Sequence, residues 1–535
     1  ANKGFTLLEI LLVIAAIGIL AAIVLVAINP NRQIEAARQA KRRSDINTIT
    51  KAIQQYIIDN RGEYPEGIET GAKAICQIGN TPTGCIDLST FLVPDYLAAI
   101  PEADTNSYYI RKNTSGTSIE VTHPRDDIWN IGGTPSLDLN FARNKSLIDS
   151  ISGNNLVTFT RASGGTYVGD DGLVKTATTN EPRFDHDPVT RESLGLLVEE
   201  SRTNLLLRSE EFENAYWTKN GSSITANTIV APDGTLSGDK LVEDTSNGPH
   251  AVARPIPFTS GLTYTASFYV KAAERTRVRI AAGNNNVWEA SVNFDLESLS
   301  TIGTPLGTST ITPVGNGWIR ISITGTAIST ANTNVNLQLL QPTAVTSYTG
   351  DGSSGIYIWG AQLEAGAFAT SYIPTTDSTV TRSADVASIT DTNFTSWYNA
   401  SEGTVFNDSK VIAPNVQTQA TYSFTGGTYN ISLRQPQGLG DRFRANIGNV
   451  FTPSPGTGAA LSTGTTKAVI AYLNTTGRLQ VGASFNEVTM GGVLDATQFN
   501  VGSLGSGTTP INGTIRRITY FPTRLSNTTL ENITK

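Results

Sequence analysis

The chain has 535 residues, with 39 Lys+Arg against 46 Asp+Glu and a formal net charge of -7. At ~100–200 residues per domain the length implies about three or four domains, and the acidic balance argues against nucleic acid as a main partner. Only 16% of residues are charged, with 49 Gly, 3 His and 2 Cys, which favours turn-rich all-β domains and leaves little for a zinc site.

Phe5 to Ile28 is apolar or small except for Thr6 and Glu9. As a helix the run spans ~36 Å, enough for a bilayer core of ~30 Å. A secretory signal peptide fits poorly: the run is too long, and no small-x-small cleavage site follows it. A plain membrane anchor leaves Glu9 unexplained, because a carboxylate inside an apolar helix costs ~2.5–3.5 kcal/mol unless it has a partner.

Lys3-Gly4-Phe5-Thr6-Leu7-Leu8-Glu9 resembles the prepilin signature of type IV pilins and pseudopilins. The resemblance implies a leader cut after Gly4 by a prepilin peptidase and methylation of the new N-terminus at Phe5. It also implies that Glu9 neutralises the Phe5 amino group of a neighbouring subunit. Such pairing suits a low dielectric, where either charge alone is costly, and it sets axial register between helices. Ala1–Gly4 is then the leader remnant, and 5–58 the long N-terminal helix, lodged in the inner membrane before assembly and in the fibre core after it.

Pro30 is expected to kink or open this helix. Ile34, Ala37, Ile46, Ile49, Ile53, Tyr56 and Ile57 recur mostly at three or four residues, an amphipathic pattern laid against a small head. Arg32, Arg38, Lys41, Arg42 and Arg43 form a basic cluster that reads either as a lipid-headgroup contact or as a solvated helix face. Residues 59–130 read as the pilin head. Asn113-Thr114-Ser115-Gly116 marks a hairpin between strands near Tyr108–Ile110 and Ser118–Val121. Cys76 and Cys85, in an outward and oxidising location, are expected to form a disulfide contributing ~2–3 kcal/mol at most through loop entropy. His123 lacks metal-ligand companions and reads as surface structure.

Residues 131–205 read as a linker and small β segment. Residues 206–375 show repeated short strands. In Thr263–Lys271, Tyr264, Ala266, Phe268 and Val270 share one face; in Gly317–Thr326, Ile319, Ile321 and Ile323 do. Glu211–Trp217 and Tyr357–Glu364 resemble the two ends of a jelly-roll carbohydrate-binding module. That resemblance implies a structural calcium, with Glu213, Asp239 and Gln362 as candidate ligands, although an acid usual near the closing strand is replaced. Residues 376–386 read as a linker. Residues 387–535, opening Phe394–Tyr398 and ending Gly513–Pro522, resemble a concanavalin-A-like lectin/glucanase sandwich.

The fold class is therefore an α+β pilin followed by mainly-β domains with two β-sandwich modules. Catalysis is not expected. Asp295 and Glu297 are the nearest approach to a glycosidase carboxylate pair, and they read equally well as a turn. His186 between Asp185 and Asp187 reads as a loop with satisfied side chains. Sugar binding needs aromatic faces and polar forks. The candidates are Trp288 with Asn284, Asn285 and Asn286, and Tyr429, Arg434, Arg442 and Arg444, each also readable as core or strand-face structure. The expected function is a homo-oligomeric helical pilus filament at the cell surface, built by pilus assembly machinery, that attaches to glycans or to host or prey cells. A fibre whose β domains only sheath the core, and a membrane-tethered polysaccharide hydrolase, are the competing readings.

Overall fold

The computed structural model describes residues 30–69, 73–76, 84–102, 108–112, 119–122, 134–412, 419–435, 444–448, 450–451, 467–505 and 509–534. The chain divides near Thr134 into two compact units. Gly4, Phe5, Glu9, His123, Arg442 and the hairpin turn at Asn113–Gly116 lie outside the described residues. So does the apolar run; among the described residues no helix is long and apolar enough to cross a membrane.

In the first unit the helix Pro30–Asp59 places Ile49, Ala52 and Ile53 on one buried stripe, with Ile46, Tyr56 and Ile57 half-buried beside it. The stripe packs on Ile68, Ile75, Ile86, Leu88, Leu92, Tyr108, Ile110 and Val121. Lys73–Ala74, Tyr109–Lys112 and Ile119–Thr122 make a three-stranded antiparallel sheet. Cys76 and Cys85 are joined by a disulfide, Cα–Cα 5.2 Å, beside a parallel bridge of Ile75 to Ile86. The basic cluster is not a uniformly solvated face. Arg42 is almost wholly buried, and Lys41 binds Asp45 at 2.9 Å and the Glu102 carbonyl at 2.7 Å.

In the second unit, the segment expected to be a linker and small β segment supplies strands to the last sandwich. Leu137–Leu139 and Ser193–Val198 pair with Gly513–Phe521, Phe184–His186 pairs with Ser193–Val198, and Thr158–Thr160 pairs with Val386–Thr390. The sandwich is an eight-stranded and a seven-stranded sheet over one core that includes Leu137, Phe159, Leu196, Phe394, Trp397, Tyr422, Ile515 and Tyr520. The second linker, 376–386, is also structural: Val380–Arg382 pairs with Arg202–Asn204, and Val386 opens a sheet strand. The jelly-roll module is thus inserted into the sandwich between two paired strands. The partners of these strands lie far along the chain, so their pairing is not legible locally.

The inserted module is two six-stranded antiparallel sheets. Tyr264, Ala266, Phe268 and Val270 face Val278, Ile280, Leu337 and Leu339 across its core. The outer side of the sheet containing Thr263–Ala272 is polar yet buried, because the chain leaving the module folds over it. Thr265 Oγ1 donates to the Gly366 carbonyl at 2.8 Å, Arg320 Nη1 donates to the Thr370 carbonyl at 2.7 Å, and Glu364 accepts the Thr370 N–H at 3.0 Å.

That exit segment ends on a buried ionic hub. Arg161, Arg183, Arg382, Glu199 and Asp385 are all fully buried or nearly so. Arg183 binds Glu199 at 2.8 Å and also binds Asp385; Arg161 binds Asp385 at 3.0 Å, and Arg382 lies 3.1 Å from Glu199. Glu199 also accepts the Ser371 N–H and hydroxyl at 2.8 and 2.7 Å. Burial alone would raise the Glu199 carboxyl, but Arg382 and Arg183 outweigh it and hold it at about 2. His186 and Asp185 lie on a strand here rather than in a loop. Asp185 accepts the Val168 N–H at 2.7 Å, and burial pushes its carboxyl up to about 7.

Candidate functional site

With one sheet of the inserted module covered by its own exit, the outer face of the other sheet is the candidate surface. In Ala331–Leu340 the residues Val335, Leu337 and Leu339 enter the core. Period-two alternation therefore turns Asn332, Asn334, Asn336 and Gln338 outward. Register places Gln338, Arg279, Asn293 and Ile302 in one row across four strands, and Asn336, Ala281 and Ser291 in the next. Ala251 and Ala253 stand opposite Gln338 and Asn336. Ala251, Ala253, Ala281 and Gln338 are buried on this face, Asn334, Asn336 and Arg279 are half-buried, and Asn332 is exposed. Asn336 Nδ2 donates to the Ala281 carbonyl at 3.2 Å, and Gln338 Nε2 donates to the Thr346 carbonyl, so both amides are held in place. Between Arg279, Ser291, Asn293 and Thr304 lies a cleft of about 170 Å³. Sequence reading missed these residues, although the A-N-T-N-V-N-L-Q-L-L alternation carried the signal.

The structure does not bring the expected binding residues into one site. Trp288 is core: it is fully buried, stacks on Phe258 at 5.0 Å and donates from Nε1 to the Gly325 carbonyl at 2.9 Å. Asn284, Asn285 and Asn286 form an exposed turn, with the Asn284 side chain accepting the Asn286 N–H at 2.9 Å. They share no surface with the Trp288 ring, because that ring points inward. Tyr429 is half-buried against the other module's core, and a Cβ on Gly492 would come within 2.3 Å of its ring. Arg434 Nε donates to Ser432 Oγ at 2.8 Å, and its backbone pairs in register with that of Arg444.

Asp295 ends the strand Ser291–Asp295, and the turn that holds Glu297 follows it. Asp295 accepts Arg277 Nε at 2.8 Å and the Glu297 and Ser298 N–H groups at 3.1 and 3.0 Å, and the Ser298 hydrogen bond leads in holding its carboxyl low. Glu297 is exposed beside it.

The calcium ligand set does not fit the ion. Both Asp239 oxygens accept backbone N–H groups, from Phe212 at 3.0 Å and Asn227 at 2.9 Å. Gln362 Oε1 accepts the Ile373 N–H at 2.6 Å, so this side chain fastens the exit segment. Among the described residues no three His, Cys, Asp or Glu side chains gather as a metal site. Burial pushes the Asp239 carboxyl up to about 6; the two N–H donors oppose that shift, and Glu213 adds to it. A raised carboxyl favours the folded state while protonated. That stability is complete below 3.8, the ordinary value, and is lost as pH rises through about 6. The expected loss is about 2–3 kcal/mol between pH 4 and pH 8. Urea titrations across that range should show a falling slope that Asp239→Asn flattens, and calcium should not shift the transition. An unchanged slope in Asp239→Asn would rule out Asp239 as its source.

Residues 1–25 match the model of the prokaryotic N-terminal methylation motif. Type II secretion system core protein G of Aeromonas hydrophila is 35% identical over 101 residues, covering 19% of this chain and 66% of that protein. The protein of the same name from Pectobacterium carotovorum subsp. carotovorum is 31% identical over 131 residues, covering 24% and 76%. The chain therefore spans about two thirds of the first relative and three quarters of the second. Among solved structures, the CBM40 module of Ruminococcus gnavus IT-sialidase bound to α2,3 sialyllactose aligns at TM-score 0.20 and 18% identity, over 25% of this chain and 83% of that one. Mouse laminin α1 domains LG4-5 align at TM-score 0.16 and 9% identity, over 52% and 85%. At such scores the sandwich assignment rests on the sheets themselves.

A pilin-type N-terminus thus precedes β-sandwich modules in this chain, which makes it a pilus-type subunit. The chain belongs to the type IV pilin and pseudopilin family.

Proposed function

We propose that this chain is the repeating subunit of a helical filament at the cell surface, and that its β modules attach the filament to glycans on other cells or surfaces. The apolar run packs into the fibre core after cleavage at Gly4 in the inner membrane, and Glu9 pairs with the Phe5 amine of a neighbouring subunit. The modules act by binding, without catalysis. The observation that carries this reading is the methylation motif at residues 1–25 on a chain whose inserted module has an amide-lined outer sheet face that its exit segment does not cover. Repetition along a fibre multiplies weak single contacts into useful avidity.

The test is electron microscopy of cells producing the chain, together with adhesion to glycan-coated surfaces. Filaments that bear the β modules and adhere are expected, and Glu9→Val should abolish them. A dispersed monomer with intact Glu9, or filaments that adhere to nothing, would contradict the proposal. The relatives' name favours a second reading, a shorter filament serving a type II secretion system. Loss of protein export with no loss of adhesion on deletion would select it.

A further inference from the structure

Arginines in the inserted module are mostly committed. Arg275 holds Glu243 through Nε at 2.8 Å, and Arg277 holds Asp295 at 2.8 Å. Arg254 and Arg320 hold the Tyr216 and Thr370 carbonyls and lie over the Tyr216 and Tyr269 rings, whereas Arg279, one row along the outer face, borders a cleft. Nε and Nη2 donate to Ser291 Oγ at 3.2 and 2.8 Å, and among the described residues no carboxylate pairs with it. Burial pulls its guanidinium below the ordinary arginine value, and no acid offsets this. A half-buried cation without a counter-ion is costly, and Nη1 is left free to donate. It borders the cleft of about 170 Å³, whose other polar groups, from Ser291, Asn293 and Thr304, are neutral.

We infer that the Arg279 cleft binds the carboxylate of an acidic sugar, a uronic acid, with the surrounding hydroxyls and amides taking the sugar hydroxyls. This deepens, and rests on, the glycan-attachment reading. One unpaired guanidinium in neutral surroundings matches one carboxylate on a hydroxyl-rich ring. A phosphate polymer would need several cations, and the cleft lining holds one. Arginine's planar fork suits a carboxylate.

The test uses the full chain, galacturonate oligosaccharides and their methyl esters, at low and high ionic strength. The acid form is expected to bind and the ester to bind about tenfold or more weakly, the ratio set by loss of one charge-assisted hydrogen bond. Arg279→Gln should lose a similar factor with its melting temperature unchanged, Arg279→Lys should keep part of the affinity, and salt should weaken binding. Equal binding of acid and ester overturns the inference but leaves glycan attachment standing. Inorganic phosphate binding as tightly as the oligosaccharide overturns it as a plain anion site. Failure of every saccharide also overturns it, while filament formation is judged separately by microscopy.

Discussion

Arg183→Met is expected to destabilise the second unit by about 3–5 kcal/mol, because it removes the guanidinium that bridges two buried carboxylates, and Glu199 and Asp385 each lose an ion-pair partner that water cannot replace. Arg183 is fully buried and contacts both Glu199 and Asp385. Methionine fills much of the volume, so the loss is electrostatic rather than a cavity effect. Tryptophan fluorescence during urea denaturation measures it. The double variant Arg183→Met, Glu199→Gln should be less harmed than the sum of the singles, since both changes remove the same Arg183–Glu199 contact. Additive losses, or a single-variant loss below about 1 kcal/mol, the level of an exposed pair, would mean that the hub is solvated rather than sealed.

Gly195→Ala should be at least as damaging, with a loss of about 4 kcal/mol or more. Gly195 lies in the strand Ser193–Val198 with φ +89°, a conformation that disfavours any side chain. A Cβ there would sit 2.0 Å from the Ile515 carbonyl oxygen and 2.8 Å from Arg516 Cα, so the pairing with Gly513–Phe521 must part. The neighbouring exposed Thr190→Ala serves as a control and should change stability little. If Gly195→Ala folds normally, residues 193–198 are not part of the sandwich and the original linker boundary returns.

Both predictions concern residues of the segment 131–205, which the sequence presents only as a linker and small β segment. Its physical content is the hub and the paired entry and exit strands, in which Glu199 holds Ser371 and Asn204 donates to the Ala361 and Ile373 carbonyls at 3.0 and 2.8 Å. Alternation in Thr263–Lys271 and Gly317–Thr326 correctly separated core from polar residues, because the period of a strand is written into adjacent positions. It could not tell that the polar face these two strands share is covered by the exit segment. Trp288 shows the same limit: an aromatic beside three asparagines looks like a sugar platform until the fold turns its ring inward.

What the sequence determined alone is everything carried by neighbours along the chain. That includes the signature around Gly4, Phe5 and Glu9, the amphipathic stripe through Ile49 and Ile53, the two cysteines close enough to join, and the inner faces of the longer strands. Tertiary structure decided what depends on distant partners: that residues 137–204 complete the last sandwich, that the jelly roll is an insertion, and that Arg279 lacks a counter-ion. Adjacent residues report burial through periodicity. Which face is covered, and which charge is paired, is settled only when segments hundreds of residues apart meet.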